Sequence, residues 1–284
     1  MAKEITLHFG EYNRGEFPEF KLGNTLVIGR IGSGKSVLVR NILSELILRY
    51  DPEDILVDIY DGKAVEFVTN KKDFGIKHCK ISNHCFNYAE CGIEQFIDKK
   101  IEDCNNVERK LLGTNALNWR DYNAAIVSKT PHIGAQLIII EEADAILSAL
   151  PDGKAAHALN KIKHIMVNAE RFGIYVMISS SGFGFLNSGI ITKDDFDIVA
   201  CTRVNEEESE RLFGSSVGTL NDCKYGKVCV RDQEFDVNVL NVPFYYKVSK
   251  IRDIVNGEIL PKGAMFNKDK LDQWQTFMRG SFVF

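Results

Sequence analysis

The sequence predicts an α/β fold, a parallel sheet with helices on both faces. Three observations predict it. A glycine-rich loop lies between an apolar run and a helical segment, short and wholly apolar runs recur along the chain, and helical stretches alternate with them. Such alternation builds a parallel sheet whose strands are covered on both sides. With 284 residues, the chain is long enough for one large domain with some excess.

Taken in order, Glu4 to Phe9 alternates as a strand, Gly10 to Gly15 is a turn, and Phe17 to Leu22 leads into the apolar strand Thr25-Leu26-Val27-Ile28. The helix from Val37 to Tyr50 sets Val39, Leu43, Leu46, Ile47 and Tyr50 on one face. Asp51-Pro52-Glu53-Asp54 ends it. Ile55 to Tyr60 is a second strand, running into Asp61-Gly62-Lys63. Glu90 to Leu112 reads as a helix with Ile93, Phe96, Ile97, Ile101, Cys104 and Leu111 aligned. Leu137 to Ile140 is a buried strand ending at Glu141-Glu142, Lys154 to Arg171 one helix, and Ile174 to Ile178 a strand ending in Ser179-Ser180-Ser181. Gly182 to Asp195 reads as an exposed loop. Ile198 to Cys201 is a further strand, Asn205 to Phe213 an acidic helix, and Lys227 to Val230 with Phe235 to Val239 a closing hairpin. Leu271 to Met278 is amphipathic. No internal repeat is visible. The simplest division is one domain over 1–242 with a C-terminal extension over 243–284.

Composition narrows the classes. A formal net charge of −4 removes any bulk electrostatic grip on nucleic acid, so a DNA contact needs local patches or a ring of subunits. No apolar run is long enough to span a membrane, and Met1-Ala2-Lys3-Glu4 opens no signal-peptide pattern, so a soluble cytoplasmic protein is expected. The seven cysteines are odd in number and scattered, which points to free thiols. His78-Cys79, His84-Cys85 and Cys91 cluster, but their spacing fits no usual zinc pattern.

Gly29-Arg30-Ile31-Gly32-Ser33-Gly34-Lys35-Ser36 fits G-x-x-x-x-G-K-[ST], with the strand before it and the helix after it that the motif requires. Glycines let the backbone wrap phosphate oxygens, and the helix N-terminus adds positive potential there. The reading is ATP binding by residues 29–37, with Lys35 on the β/γ-phosphates and Ser36 on Mg²⁺. The run Leu137 to Glu142 supplies hydrolysis: Glu141 holds the metal and Glu142 orients the attacking water. Its strand is expected beside the phosphate-loop strand. The alternative for the two acids is a helix N-terminal pair. Asn70-Lys71-Lys72-Asp73 and Thr192-Lys193-Asp194-Asp195 match a guanine-specificity pattern, but no D-x-x-G follows a strand between the phosphate loop and these sites, and both are read as chance.

An ordered set of motifs resembles the motor domain of the FtsK/SpoIIIE family, within the FtsK–HerA group of ring ATPases. Asp61 to Glu66 is similar to D-P-K-G-x-E, and Glu108-Arg109-Lys110 with Tyr122-Asn123 to M-E-R-R-Y … Y-N. Ile140 to Asp144 is similar to I-D-E-F-A-D, and Gly173 to Ser181 to G-I-H-L-I-L-A-T-Q. Asp61-Gly62 lacks the family's proline, Glu141 stands in place of Asp, and Ser181 in place of the sensor Gln. The resemblance implies a RecA-like P-loop NTPase and a DNA translocase that assembles as a homo-hexamer and moves double-stranded DNA. It further implies a site completed by a neighbour's arginine, for which Arg203 and Arg211 are the candidates. Gly182 to Asp195 is then the pore-loop candidate, with Lys193 on DNA phosphates and Phe183 and Phe185 as wedges. A type VII secretion-like ATPase moving protein, a plasmid or viral genome motor with a membrane or capsid partner, and an ATP-binding assembly module with little hydrolysis are the other readings.

Overall fold

The computed structural model describes residues 4–12, 17–50, 53–61, 92–126, 132–151, 153–220 and 226–242. The His78–Cys91 cluster, Asn70–Asp73, Gly62 to Glu66, Leu271 to Met278 and the 243–284 extension lie outside the described residues.

The elements are β1 (Thr6–Leu7), β2 (Phe20–Lys21), β3 (Thr25–Gly29), α1 (Lys35–Arg49), β4 (Ile55–Asp61), α2 (Ile93–Thr114), α3 (Trp119–Ala125), β5 (Ala135–Glu141), α4 (Ala143–Ser148), α5 (Lys154–Val167), α6 (Ala169–Phe172), β6 (Ile174–Ser180), α7 (Gly184–Asn187), β7 (Ile198–Arg203), α8 (Glu206–Phe213), β8 (Lys227–Arg231) and β9 (Val237–Asn241). Seven strands form one mixed sheet in the order β4-β5-β6-β3-β7-β8-β9. The first five run parallel; β8 and β9 add antiparallel. The all-apolar runs become β3, β5 and β6, buried along almost their whole length. Burial on alternate side chains as well means that both faces are covered. α1 packs on β3 and β6, while α2 packs on α5 and α5 on β6.

Three sequence expectations need correction. The strand ending in Glu141-Glu142 does not lie beside the phosphate-loop strand, because β6 pairs with both and stands between them. Parallel strands joined by long crossovers need not be neighbours, and periodicity carries no information on their order. The expected helix from Lys154 to Arg171 breaks at Asn168, whose φ of −101° and ψ of 10° end α5 before α6 begins. Gly182 to Asp195 is not an open loop. It holds α7 and a 3-10 turn, Lys193–Asp195, and buries Phe185, Leu186 and Ile191.

A buried ionic group ties the edge of the sheet. Lys100 of α2 reaches Asp58 of β4 and Asp103 at 2.9 Å each, and the Gln136 amide donates to Asp58 as well. Three cysteines among the described residues, Cys104, Cys201 and Cys229, are free and buried. Burial pushes the thiols of Cys104 and Cys229 up to about 12 and raises that of Cys201 further, so all three stay protonated and unreactive.

Candidate functional site

The glycine loop turns directly from β3 into α1. Gly32 and Gly34 take φ of 77° and 99°, the left-handed region open to glycine at little cost. Gly34 caps α1 with no side-chain cap, and no acid lies in the first turn. An uncapped helix start free of negative charge is the arrangement that suits a phosphate. Lys35 is buried at the first position of α1, with its Nζ 3.4 Å from the Arg30 carbonyl oxygen. Ser36 and Val37 follow, partly buried, while Arg30 and Ile31 stand exposed at the tip of the loop.

β7 pins the loop from the other side. The hydroxyls of Ser33 and Thr202 lie 2.6 Å apart, and the Arg30 amide donates to the Arg203 carbonyl at 2.9 Å. Gly29 leaves no room for a side chain here, since a Cβ would stand 2.2 Å from Thr202 Oγ1. Thr202 was not singled out by sequence. It sits in an apolar strand with no motif around it, and only the β3–β7 pairing reveals it.

Glu141 ends β5 in the same plane. It is 1% exposed, and among the described residues neither carboxylate oxygen meets a donor in hydrogen-bond geometry. Burial raises its pKa, while the nearby hydroxyls of Ser179 and Ser36 pull the other way. The intervening strand β6 carries small serines at this level, with Ser179 opposite Val27 and Ser180 opposite Ile28, so Glu141 can still face the start of α1. Two orphaned carboxylate oxygens beside the Ser36 and Ser179 hydroxyls fit a hard divalent cation, which takes oxygen ligands. Among the described residues no three of His, Cys, Asp and Glu gather as a metal site of their own. Such a site suits Mg²⁺ completed by nucleotide phosphates.

Glu142 has φ of 58° and ψ of 48° and caps α4. A non-glycine residue in this region is strained by about 1–3 kcal/mol, and strain of this kind gathers at functional sites. Its carboxylate accepts a short hydrogen bond from the Ser181 hydroxyl at the end of β6. Beside this pair opens a cavity of about 900 Å³, bordered by Ile31, Glu142, Asp144, Leu159, Ser181 and Phe185. The structure thus brings together Gly29 to Val37, Glu141, Glu142 and Ser181 at the C-terminal edge of the parallel strands, where open α/β sheets bind ligands.

The remaining predicted residues fall elsewhere. Arg203 is exposed next to its own phosphate loop. Arg211 lies over the Phe183 ring at 5.3 Å and donates to Asn187 at 2.6 Å. Lys193 is not a free pore-loop lysine, since its Nζ is 3.0 Å from the Arg211 carbonyl, at the end of α8. Phe185 is buried and so is not an exposed wedge, and Phe183 is partly buried.

Strand, glycine loop, helix, and an acidic strand end two places away define a P-loop ATPase-type domain of RecA-like plan. The resemblance read from the motifs is borne out: a model of the FtsK/SpoIIIE family matches residues 2–72. The match covers about a quarter of the chain, so the chain is similar to this family there, and the solved structures below share its fold. A curated relative, the type VII secretion system protein EssC of Staphylococcus aureus (strain MRSA252), is 23% identical over 232 residues, 79% of this chain but only 14% of EssC. Among solved structures, the cytoplasmic domain of the Thermomonospora curvata type VII secretion ATPase EccC matches with a TM-score of 0.72 at 18% identity, covering 93% of this chain and 32% of that one. The pCW3 conjugation coupling protein TcpA, in a monomer form with ATPγS, matches with a TM-score of 0.67 at 15% identity, covering 89% and 71%. Among the described residues no helix is long and apolar enough to cross a membrane.

Proposed function

We propose that this chain is an ATP-hydrolysing motor subunit that acts in the cytoplasm, assembles as a homo-hexameric ring and translocates double-stranded DNA. The observation that carries the hydrolytic part is the convergence of the glycine loop, the buried Lys35, the orphaned Glu141 and the half-buried Glu142 on one edge of the sheet. The amides of residues 32–36 and the start of α1 bind the phosphates, and Lys35 holds β/γ-phosphate charge. Ser36 and Glu141 would hold a magnesium ion, which neutralises phosphate charge when bound. Glu142 orients the attacking water and takes its proton. Before nucleotide binds, Ser181 holds Glu142 through their hydrogen bond. An arginine of a neighbouring subunit would stabilise charge on the transferred phosphoryl group. Arg203 and Arg211 are the candidates; Arg211 is engaged within its own chain, and Arg203 lies exposed beside its own phosphate loop.

The DNA substrate rests on the motif resemblance and on the likeness to a conjugation coupling protein. A second reading, transport of protein, is favoured by the likeness to EssC and EccC. A membrane or capsid partner fits either. ATP turnover measured with and without long duplex, at low salt and at concentrations where the ring forms, tests the choice. Stimulation that falls steeply with salt is expected of phosphate contacts. Equal turnover with and without duplex removes the DNA reading.

A further inference from the structure

We infer that Asp144 is a positioning residue that couples the carboxylate of Glu142 to the packed segment 182–195. This inference rests on the reading of Glu142 as the group that meets the attacking water.

Two carboxylates from the start of one short helix grip the same turn. Glu142 accepts from the Ser181 hydroxyl. Two residues on, Asp144 accepts from the amides of Gly184 at 3.1 Å and Phe185 at 2.8 Å. The approach is close, so that a side chain at either glycine would push on the Asp144 carboxylate. A Cβ at Gly182 would stand 2.5 Å from one Asp144 oxygen, and a Cβ at Gly184 3.0 Å from the other. The positive φ of Glu142 turns the chain so that both side chains face the end of β6. Nothing in phosphate binding requires Asp144, so this docking is not explained by the nucleotide site.

Beyond the turn, the segment is tied together by burial and hydrogen bonds. Leu186 and Ile191 are buried with Phe185. Arg211 covers Phe183 and holds Asn187, Lys193 holds the Arg211 carbonyl, and Arg231 donates to the Lys193 carbonyl at 3.3 Å. At its far end Lys163 pairs with Asp195 at 2.9 Å. When nucleotide binds, Glu142 turns the oxygen bonded to Ser181 toward the water, and that bond opens. The turn then keeps the Asp144 contacts and pivots on them, and the packed segment follows. Asp144 therefore keeps the segment attached to α4 while Ser181 lets go.

Hydrogen–deuterium exchange of the full chain tests this, with and without Mg²⁺ and a non-hydrolysable ATP analogue. In the wild type the analogue should protect amides of residues 32–37 and speed exchange over 182–188 by about threefold to tenfold, the loss of one hydrogen bond. In Asp144→Asn the protection at 32–37 should persist. Exchange over 182–188 should then be fast in both states, and kcat should fall with KM unchanged, a split that general loosening does not produce. Protection at 32–37 with no change over 182–188 in the wild type overturns the coupling and leaves nucleotide binding intact, whatever the variant's folding. Absence of protection at 32–37 overturns the nucleotide reading as well.

Discussion

Gly29→Ala is a test of how tightly β7 clamps the phosphate loop. Gly29 does not have a positive φ, so alanine meets no backbone penalty and the effect is one of space. The added Cβ would stand 2.2 Å from Thr202 Oγ1, 2.8 Å from Ser33 Oγ and 3.1 Å from the Arg203 amide nitrogen. Ordinary contact requires about 3.4 Å, so some 1 Å of separation must open. The hydroxyl of Thr202 cannot swing away without losing Ser33, and the strand cannot shift without pulling the Arg203 carbonyl from the Arg30 amide. Overpacking of this kind costs about 1–3 kcal/mol. Strain in the fold lowers Tm by about 2–12 °C, at about 2–4 °C per kcal/mol. Strain falling on the nucleotide-bound loop weakens ATP-analogue binding by about fivefold to a hundredfold. Calorimetric titration and thermal unfolding read the two. Thr202→Ala removes the nearest atom, so the double variant should be better than the sum of the singles by about 0.5 kcal/mol or more. A folded Gly29→Ala protein with unchanged Tm, and with affinity within a factor of about two, would refute the clamp.

Other predictions follow from the same geometry. Lys35→Ala should abolish ATP binding by calorimetry, because a charge-assisted contact to the phosphates is lost; unchanged affinity would remove the nucleotide reading. Glu142→Gln should keep nucleotide and Mg²⁺ yet slow hydrolysis by about two to four orders of magnitude. If Glu141→Gln proves the more damaging and Glu142→Gln is silent, the two roles are exchanged. Lys100→Met leaves Asp58 buried without its cation and should cost about 3–5 kcal/mol in chemical denaturation. Burial acts to lower the Lys100 pKa, but Asp58 and Asp103 together outweigh it and raise it above 10.5. The ion group's stability is thus fully present below that value and is lost as pH rises through the higher folded pKa, so the variant should show a flatter alkaline limb than the wild type.

Much of this protein was legible in the chain itself, because it is encoded locally. The phosphate loop needs glycines at fixed offsets between a strand and a helix, and each requirement falls within about twenty residues. The apolar runs gave β3, β5 and β6, and the acidic helix expected over Asn205 to Phe213 forms as α8. Asp144 lay in plain view inside a motif, and the Gly182–Gly184 pair was a signal of close approach, but nothing local joined the two.

The tertiary structure decided what depends on strand order and on residues far apart in the chain. It set β6 between the phosphate loop and Glu141, and the small side chain of Ser179 leaves the carboxylate facing α1 across that gap. It put Thr202 on Ser33, Ser181 on Glu142 and Lys100 on Asp58. It also turned a glycine-containing stretch that reads as an exposed loop into a packed segment held by Asp144. The physical reason is that side-chain periodicity reports which face of an element is buried, not which neighbour buries it. Packing of long crossovers chooses the neighbour, and the chemistry of this site lies between neighbours.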